Sequence, residues 1–251
     1  MIEPAITNKK LFCFGYGYTA QFLSERLKKQ GWSVYGTTTD IEKCHYLKRS
    51  GLENAFLFDS THPIADPHAA FHDVTHILVS IPPDTGGDTV VNLHGRDIAR
   101  EMPNLEWIGY LSATAVYGNH DGNWITEETP LAPSSRRGTL RERAESDWTQ
   151  LAKTHHLPLH IFRLSGIYGP GRSAIDSVRA GLAKRIDKPG HVFNRIHIDD
   201  IVQVLIASIN APKPGSIYNL ADDLPSASHE VISYACELTG TPPPPLTPFD
   251  Q

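Results

Sequence analysis

The stretch LFCFGYGYTA, residues 11–20, decides the fold of this 251-residue chain. Four apolar residues are followed by glycines at positions 15 and 17 and by Ala20. From Phe22 to Gly31 the apolar residues recur at helical spacing, and glycine is a common helix stop. The stretch therefore predicts a buried strand, a glycine turn and a helix, and the turn fits the pattern G-x-G-x-x-G/A.

This turn predicts a binding site for a dinucleotide. Gly15 permits the tight turn, Gly17 lets the backbone approach a pyrophosphate, and Ala20 allows close packing of the helix on the sheet. The amino terminus of the helix supplies free N–H groups and a favourable dipole for the anion. The alternative is a strand–helix turn that needs glycine for its geometry alone.

The rest of the chain continues the alternation of strands and helices. Further strands are expected at 32–38, 55–59, 75–81, 106–112, 158–165 and 216–222. Further helices are expected at about 41–50, 85–101, 134–155, 173–185, 199–210 and 227–239. This order implies parallel pairing with right-handed crossovers, and the apolar strands suggest a sheet covered on both faces. The fold class is α/β, and PPPP at 242–245 is expected to form an extended tail or linker.

Composition excludes several classes of protein. A formal net charge of −5 argues against a general nucleic-acid binder, because phosphate binding needs a basic face. The three cysteines are widely spaced, as expected for a reducing compartment. No run approaches the ~18 apolar residues of a membrane helix, and the first ten residues lack the apolar stretch of a signal peptide. We expect a cytoplasmic protein, a monomer or a homodimer, with a small-molecule substrate and neither nucleic acid nor membrane as partner.

The end of the second strand bears on the choice of cofactor. NAD-binding proteins usually place an acidic residue there to hold the ribose 2′-hydroxyl. Here the strand ends in Thr37, Thr38 and Thr39, and the nearest cation is Lys43. Hydroxyls tolerate a 2′-phosphate better than a carboxylate would, so the sequence favours NADP slightly over NAD. Thr39 to Glu42 also fits a helix capping box.

Several segments carry a resemblance to a known family. They are GYGYTA at 15–20, THILVSIPPDTGGD at 75–88, YLSATAVYGNHDGNWITEETPLAP at 110–133, FRLSGIYGPGR at 162–172, RIHIDDIVQVLIASI at 195–209 and GSIYNLADDLP at 215–225. With them the chain resembles the extended short-chain dehydrogenase/reductase superfamily, the NAD(P)-dependent epimerases and dehydratases, and within it the atypical YeeZ-like branch. The resemblance implies a Rossmann-type doubly wound parallel sheet with a small C-terminal substrate lobe. The core would span 8–165, completed by about 199–222, and the lobe would comprise 166–198 and 223–251.

The sequence departs from this family at its usual catalytic positions. Members that transfer hydride carry Ser or Thr four residues before the Tyr of VYG, and a Tyr-x-x-x-Lys pair on the next long helix. The matching positions here are Ala113, Arg137 and Arg141. Arginine cannot act as a base and has no acceptor atom, so the tyrosine-dependent mechanism is disfavoured. Arg141 could still donate to a ribose or phosphate, and Arg137 could bind an anionic substrate. The alternative is a charge-rich, solvated helix face.

The remaining candidates surround the same motif. Tyr117 is the candidate surrogate acid, with aromatic packing as its alternative role. Ser112 and Thr114 flank Ala113 and are the other candidate catalytic hydroxyls, with strand-end hydrogen bonding as the alternative. Arg172 follows a Gly-Pro-Gly turn and could bind an anionic substrate. The residues predicted to contact the cofactor are Gly15, Tyr16, Gly17, Tyr18, Thr19, Thr37, Thr38, Thr39, Asp59, Ser80, Ile81, Pro82, Ser112 and Arg141. The thirteen histidines include no HExxH pattern, so no metal site is predicted.

Two functional hypotheses from different classes follow. The leading one is an NAD(P)-binding oxidoreductase or epimerase with an atypical active site, acting on a small polar or sugar-derived substrate. The alternative is a non-catalytic NAD(P) sensor, which the replaced catalytic positions favour. A relic scaffold that no longer binds cofactor is a third reading.

Overall fold

The computed structural model describes residues 9–52 and 54–249 of the chain. Its centre is a sheet of seven strands in which all neighbours are parallel. In chain order, strands β1 to β6 are Lys10–Phe14, Ser33–Thr38, Asn54–Leu57, His76–Val79, Trp107–Ala113 and Leu159–Leu164. Strands β7 to β11 are Gly166–Tyr168, Arg185–Asp187, Arg195–His197, Ile217–Leu220 and Leu246–Pro248. The order across the sheet is β10–β6–β5–β4–β1–β2–β3, with the direction of winding reversing beside β1.

Helices cover both faces of this sheet. Helices α1 to α8 are Tyr18–Lys28, Ile41–Arg49, Pro67–Phe71, Thr89–Glu101, Arg136–His155, Ala174–Arg179, Ile198–Asn210 and Ser228–Thr239. Along β1, Leu11 and Cys13 enter the core on the face of α1, α2 and α7, whereas Phe12 and Phe14 enter the core on the face of α3, α4 and α5. This alternation explains why the strand is apolar throughout, and the fold is the expected Rossmann-type α/β fold.

All seven strands predicted from the sequence are confirmed, with ends that shift by one or two residues. The helix predicted at 173–185 is shorter than expected, because α6 ends at Arg179 and Gly181 then adopts a left-handed φ of +68°. The capping box predicted from Thr39 is wrong. Asp40 caps α2 instead, and its carboxylate accepts the amides of Glu42 and Lys43. Helix α3 escaped prediction, although the Asp66–Pro67 pair at its start is a typical helix beginning.

The four short strands outside the central sheet, together with α6 and α8, fall within the ranges assigned to a substrate lobe. Helices α6 and α8 pack around Val178, Ala235 and Cys236. Strand β7 pairs with β9, and β8 pairs with β11, into which the PPPP segment leads. The division into core and lobe stays a prediction, and residues 8, 53, 250 and 251 of its ranges lie outside the described residues. None of the described helices combines the length and the hydropathy needed to cross a membrane.

Candidate functional site

The glycine turn after β1 is held by two neighbouring strands. Gly15 has a φ of +86°, and its amide donates to the Thr37 hydroxyl at 2.8 Å. The Ser80 hydroxyl donates to the Gly15 carbonyl at 2.6 Å. A side chain at Gly15 would also press on Ser80 and Ile81, each 2.9 Å from the position a Cβ would take. The turn therefore needs glycine both for its conformation and for this close approach.

Gly17 leaves an open cradle at the start of α1. It caps the helix with a φ of −93°, a value open to any residue. No described atom lies within 4 Å of the position that a Cβ on Gly17 would take. No side chain in the described ranges caps this helix end, and its first turn carries no acidic residue. Because the first amides of a helix have no intrahelical acceptor, the cradle presents hydrogen-bond donors to an anion.

An open cleft of about 380 Å³ lies along this end of the sheet. Ten of the residues predicted to contact the cofactor line it: Gly15, Tyr16, Gly17, Thr37, Thr38, Thr39, Asp59, Ser80, Ile81 and Pro82. It is also lined by Lys43, Phe58, Ser60, Asp84 and Thr89, which were not predicted as site residues. The carboxyl ends of parallel strands meet at one edge of a sheet. Phe58, Ser60 and Asp84, which are close in sequence to Asp59 and Pro82, could therefore have been predicted from their positions.

Four residues predicted to contact the cofactor do not line the cleft: Tyr18, Thr19, Ser112 and Arg141. The Tyr18 side chain turns toward the segment after β7, where its hydroxyl donates to the Pro170 carbonyl at 3.0 Å. Thr19 is buried in the first turn of α1. Ser112 and Arg141 lie at β5 and α5, on the other side of β4 from the glycine turn.

The threonines at the end of β2 have three different environments. Thr37 is buried and holds the Gly15 amide. Thr38 accepts the Asp40 amide at 3.3 Å. Thr39 is exposed at the edge of the cleft, next to Lys43. Since the Asp40 carboxylate is bonded to the first amides of α2, the hydroxyls and the Lys43 ammonium are the groups that this strand end offers to a ribose.

Asp59 places a negative charge in the cleft beyond β3. Its carboxylate accepts the Thr61 hydroxyl and amide at 2.7 Å, and the His62 amide and ring nitrogen at 3.0 Å. These hydrogen bonds, those of Thr61 first, hold the pKa of Asp59 well below its ordinary value. The carboxylate is therefore ionised at neutral pH.

A buried network of polar side chains joins the end of β5 to α5 and β6. The Ser112 hydroxyl donates to Glu145 at 2.5 Å, and Glu145 pairs with Arg163 at 2.7 Å. Arg163 donates to the Tyr117 hydroxyl at 2.7 Å, and that hydroxyl donates to Asn219 at 2.7 Å. Burial by itself would lower the pKa of Arg163, but its bonds to Glu145 and Tyr117 outweigh burial and raise that pKa. We call these five residues the β5–α5 network.

This network engages two of the three predicted catalytic hydroxyls. Ser112 is 4% exposed and Tyr117 is 1% exposed, and each hydroxyl hydrogen already has an acceptor within the network. The catalytic roles of Ser112 and Tyr117 stay predictions, and this geometry favours their alternative roles of hydrogen bonding and packing. Thr114 differs from them. It begins the 3-10 turn Thr114–Val116 and is partly exposed, and no described residue is hydrogen bonded to its hydroxyl.

The two arginines of α5 that were predicted as site residues have different surroundings. A Cβ on Gly138 would overlap the Ala115 carbonyl oxygen, so the helix start lies against the 3-10 turn. Arg137, next to Gly138, is exposed, and no side chain or carbonyl of the described residues is hydrogen bonded to it. Arg141 donates to the Leu111 carbonyl at 2.6 Å and to the Tyr110 hydroxyl at 3.2 Å. The Arg141 side chain therefore links α5 to β5 in this structure.

A second cavity, of about 220 Å³, lies among the short elements. It is lined by Ile186, Lys188, His191, Phe193, Ala227, Ser228, His229 and Phe249. It shares no residue with the cleft, and neither Arg137 nor Arg172 lines it. Across residues 9–52 and 54–249, no group of three or more His, Cys, Asp or Glu side chains is arranged to hold a metal ion.

The chain is similar to a known protein family and to several individual proteins. The model of the NAD dependent epimerase/dehydratase family matches residues 15–221. Protein YeeZ of Escherichia coli is 27% identical over 248 residues, which cover 94% of this chain and 86% of that protein. A functionally unknown conserved protein from Silicibacter pomeroyi DSS has a structure with a TM-score of 0.86 and 46% identity, covering 97% of this chain and 83% of that one.

The structure of UDP-glucuronic acid 4-epimerase from Bacillus cereus in complex with NAD is more distant. It shares 18% identity with a TM-score of 0.76, and the match covers 95% of this chain and 87% of that one. This similarity shows the fold alone. The family match extends from the glycine turn of the cleft to the loop after β10, and so the chain belongs to the NAD-dependent epimerase/dehydratase family.

Proposed function

We propose that the cleft binds a nicotinamide dinucleotide, NADP(H) in preference to NAD(H), and that the protein is an oxidoreductase or epimerase acting on a small polar or sugar-derived substrate. The observation that carries this proposal is the open cradle at Gly17. There a glycine with an ordinary φ borders empty space at an uncapped helix start. Unlike Gly15, Gly17 has neither a left-handed φ nor a neighbour that a Cβ would overlap, so the fold itself does not require glycine at position 17.

The lining residues fit a dinucleotide along the sheet edge. The backbone of 15–18 would hold the pyrophosphate, and the end of β2 would hold the adenosine ribose. The predicted contacts Tyr16, Asp59, Ser80, Ile81 and Pro82 line the remainder of the cleft. When bound, the nicotinamide supplies or accepts a hydride, and the protein contributes position and electrostatics.

The preference for NADP(H) rests on the end of β2. A carboxylate pointing at the ribose would repel a 2′-phosphate, and the one acidic residue nearest this strand end, Asp40, is bonded to two backbone amides. Thr39 and Lys43 line the cleft instead. An ammonium group on an exposed side chain attracts a phosphate without demanding a fixed geometry.

At the substrate end, the proposal assigns chemistry to Thr114 and Arg137. The Thr114 hydroxyl would donate to the substrate oxygen, and the Arg137 guanidinium would offset negative charge that develops there. Neither group is a general base at neutral pH. The proton that the substrate oxygen gains or loses would therefore be exchanged with water.

One observation favours the alternative, a non-catalytic dinucleotide sensor. In the β5–α5 network the hydroxyl hydrogens of Ser112 and Tyr117 are held by Glu145 and Asn219. A sensor needs the cleft but no free catalytic hydroxyl. The two candidates make the same prediction for cofactor binding and opposite predictions for turnover.

Titration calorimetry of NADPH and NADH tests the shared part. We expect both to bind, and NADPH to bind more tightly. If neither gives binding heat at millimolar concentration, the proposed function is wrong.

Turnover separates the two candidates. Oxidation of NADPH by a panel of sugar-derived aldehydes and ketones is followed by absorbance, and epimerisation, which consumes no net cofactor, is followed by NMR of the corresponding sugars. For the enzyme we expect Thr114→Val to lower kcat roughly tenfold or more, because a single donor to a developing oxyanion has effects of this size or larger. NADPH affinity should be unchanged in that variant. Binding without any turnover would support the sensor.

A further inference from the structure

We infer that Arg172 is a ligand of the cofactor pyrophosphate, and that the Tyr18 side chain is the positioning residue that holds Arg172 there. This inference rests on the proposed binding of a dinucleotide in the cleft. It moves Arg172 from the substrate, where its sequence position suggested it, to the cofactor. It also gives the Tyr18 side chain a role apart from that of its backbone amide.

The first step is the contact between the two side chains. The Arg172 guanidinium carbon lies 5.6 Å from the centre of the Tyr18 ring, within the range of a cation–π interaction. Tyr18 is the first residue of α1, directly after the Gly17 cradle. The Arg172 guanidinium thus lies near the ring of Tyr18, and the backbone amide of Tyr18 belongs to the proposed pyrophosphate site.

The second step is the fixed position of the turn that carries Arg172. The amides of Gly169 and Arg172 each donate to the other residue's carbonyl, at 3.2 and 3.0 Å. The Tyr18 hydroxyl donates to the Pro170 carbonyl at 3.0 Å. Gly169 has a φ of +155°, and a Cβ there would lie 2.7 Å from the Tyr18 hydroxyl oxygen. The close approach of Tyr18 therefore requires glycine in this turn.

The third step is that the Arg172 charge is not neutralised by protein. Two carboxylates that act on Tyr18, Asp176 and Asp199, have other partners: Asp176 accepts from the amide and hydroxyl of Ser173, and Asp199 pairs with Arg26 at 3.2 Å. Within the described ranges, Arg172 forms no ion pair and its guanidinium donates no hydrogen bond. Its donors are available to an anion.

Neither Arg172 nor the Tyr18 side chain lines the cleft, but the Tyr18 ring links a cation with free donors to the residue that begins the uncapped helix. Helix amides bind a phosphate group through N–H donors, and a guanidinium adds charge and a planar fork that matches phosphate oxygens. A diphosphate, with its two charged groups, suits both elements together better than a single carboxylate does. Arg172 and the Gly17–Tyr18 backbone would then hold one ligand from two sides.

The test measures the affinity for NADPH by calorimetry in wild type, Arg172→Ala, Tyr18→Leu and the double variant. Arg172→Ala is expected to weaken binding roughly tenfold to a hundredfold, the range of a hydrogen bond to a charged group. Arg179→Ala, which removes an exposed arginine of α6, is the matched control and should bind as wild type. Thermal melting of each variant confirms that it is folded.

Two further readings distinguish a positioning role from a structural one. Tyr18→Leu should weaken NADPH binding in the wild-type background but not further in the Arg172→Ala background, because its effect passes through Arg172. The affinity of Arg172→Ala should also depend less on salt than that of wild type. Independent losses in the double variant would overturn the positioning role of Tyr18.

The failure of this inference differs from the failure of the proposed function. If wild type binds NADPH and Arg172→Ala binds it equally well with the same salt dependence, Arg172 is not a cofactor ligand. If wild type does not bind NADPH or NADH, the proposed function itself has failed. Replacing NADPH by ADP provides a check on the ligand group, since the loss in Arg172→Ala should persist with the diphosphate alone.

Discussion

The two sides of the sheet edge differ in how far their polar groups are satisfied. On the β1–α1 side, the cradle at Gly17 borders open space and the helix start is uncapped. On the β5–α5 side, the network from Ser112 to Asn219 is hydrogen bonded throughout, and all of its members except Asn219 are buried. The first side has groups available for a cofactor, whereas the second has bonded most of its polar groups to each other and leaves Thr114 and Arg137 free within the described residues.

This difference supports the proposal that the chain binds a dinucleotide without using the family's tyrosine-dependent chemistry. Binding a dinucleotide needs free donors and space, and both are present beside β1. Tyrosine-dependent hydride transfer needs a free phenol near the substrate and a lysine to lower its pKa. The resemblance to the family predicts Arg137 and Arg141 at those positions, and the buried Tyr117 hydroxyl is held by Arg163 and Asn219. The proposed cofactor cleft therefore has free groups for its ligand, whereas the hydroxyls of Ser112 and Tyr117 do not.

The largest effect is expected from a substitution that breaks the β5–α5 network. Glu145→Ala leaves Arg163 buried without its partner, which should lower the free energy of unfolding by about 3–5 kcal/mol. Urea unfolding followed by circular dichroism measures it. Arg143→Ala on the same helix is the control, because its pair with Asp147 is exposed and should be worth only about 0.3–0.5 kcal/mol. Equal losses in the two variants would show that the network is not the buried, coupled unit described above.

The next largest effect is a loss of NADPH affinity at the Gly17 cradle. Gly17→Ala adds a methyl group where the protein leaves space and φ is ordinary, so the melting temperature should stay near that of wild type. The methyl group would meet the pyrophosphate, and NADPH affinity should fall about tenfold to a hundredfold, or 1.4–2.8 kcal/mol. Gly166→Ala, another glycine with room for a Cβ but away from the cleft, should keep full affinity. Normal binding by Gly17→Ala would contradict the cradle.

The third prediction concerns the pH dependence of the free energy of unfolding, to which a buried histidine away from the cleft contributes. His76 lies at the start of β4, and burial lowers its pKa from 6.5 to about 3. The unfolded chain therefore binds more protons than the folded chain between these values, and stability falls as the pH falls below 6.5. From pH 7 to pH 5 the loss should be on the order of 2 kcal/mol.

The variant His76→Phe isolates this contribution. Phenylalanine keeps a ring between Trp32 and Trp107 but cannot titrate. Urea unfolding at several pH values should show a shallower loss toward pH 5 in this variant than in wild type. Identical slopes in the two proteins would mean that His76 titrates normally.

The smallest effect concerns the choice between the two cofactors. Lys43→Ala should weaken NADPH binding about two- to fivefold, the range of an exposed charge pair, and leave NADH binding unchanged. Lys48→Ala, on the same helix but outside the residues that line the cleft, is the matched control. An equal loss for both cofactors would remove the argument for a 2′-phosphate at this position.

The sequence predicted the fold well because its signals are local. The apolar run before Gly15, the strand periodicity and the helix stops each depend on neighbouring residues, and the seven strands follow from them. Most of the cleft was predicted for the same reason, since one motif and the ends of parallel strands define it.

The side-chain pairings within the β5–α5 network were not predictable in this way. The pairing of Ser112 with Glu145 spans 33 residues, and that of Tyr117 with Asn219 spans 102. No pattern in the sequence specifies such pairs, because they depend on how α5, β6 and β10 meet. The contact of Tyr18 with the turn at Pro170, 152 residues away, escaped prediction for the same reason.

A crystal structure of the protein with NADPH tests the central claim most directly. The account predicts the pyrophosphate on the amides after Gly17, the 2′-phosphate near Thr39 and Lys43, and the Tyr117 hydroxyl still bonded to Arg163 and Asn219. A dinucleotide bound elsewhere, or a Tyr117 hydroxyl released from the network and bonded to the nicotinamide ribose, would contradict it.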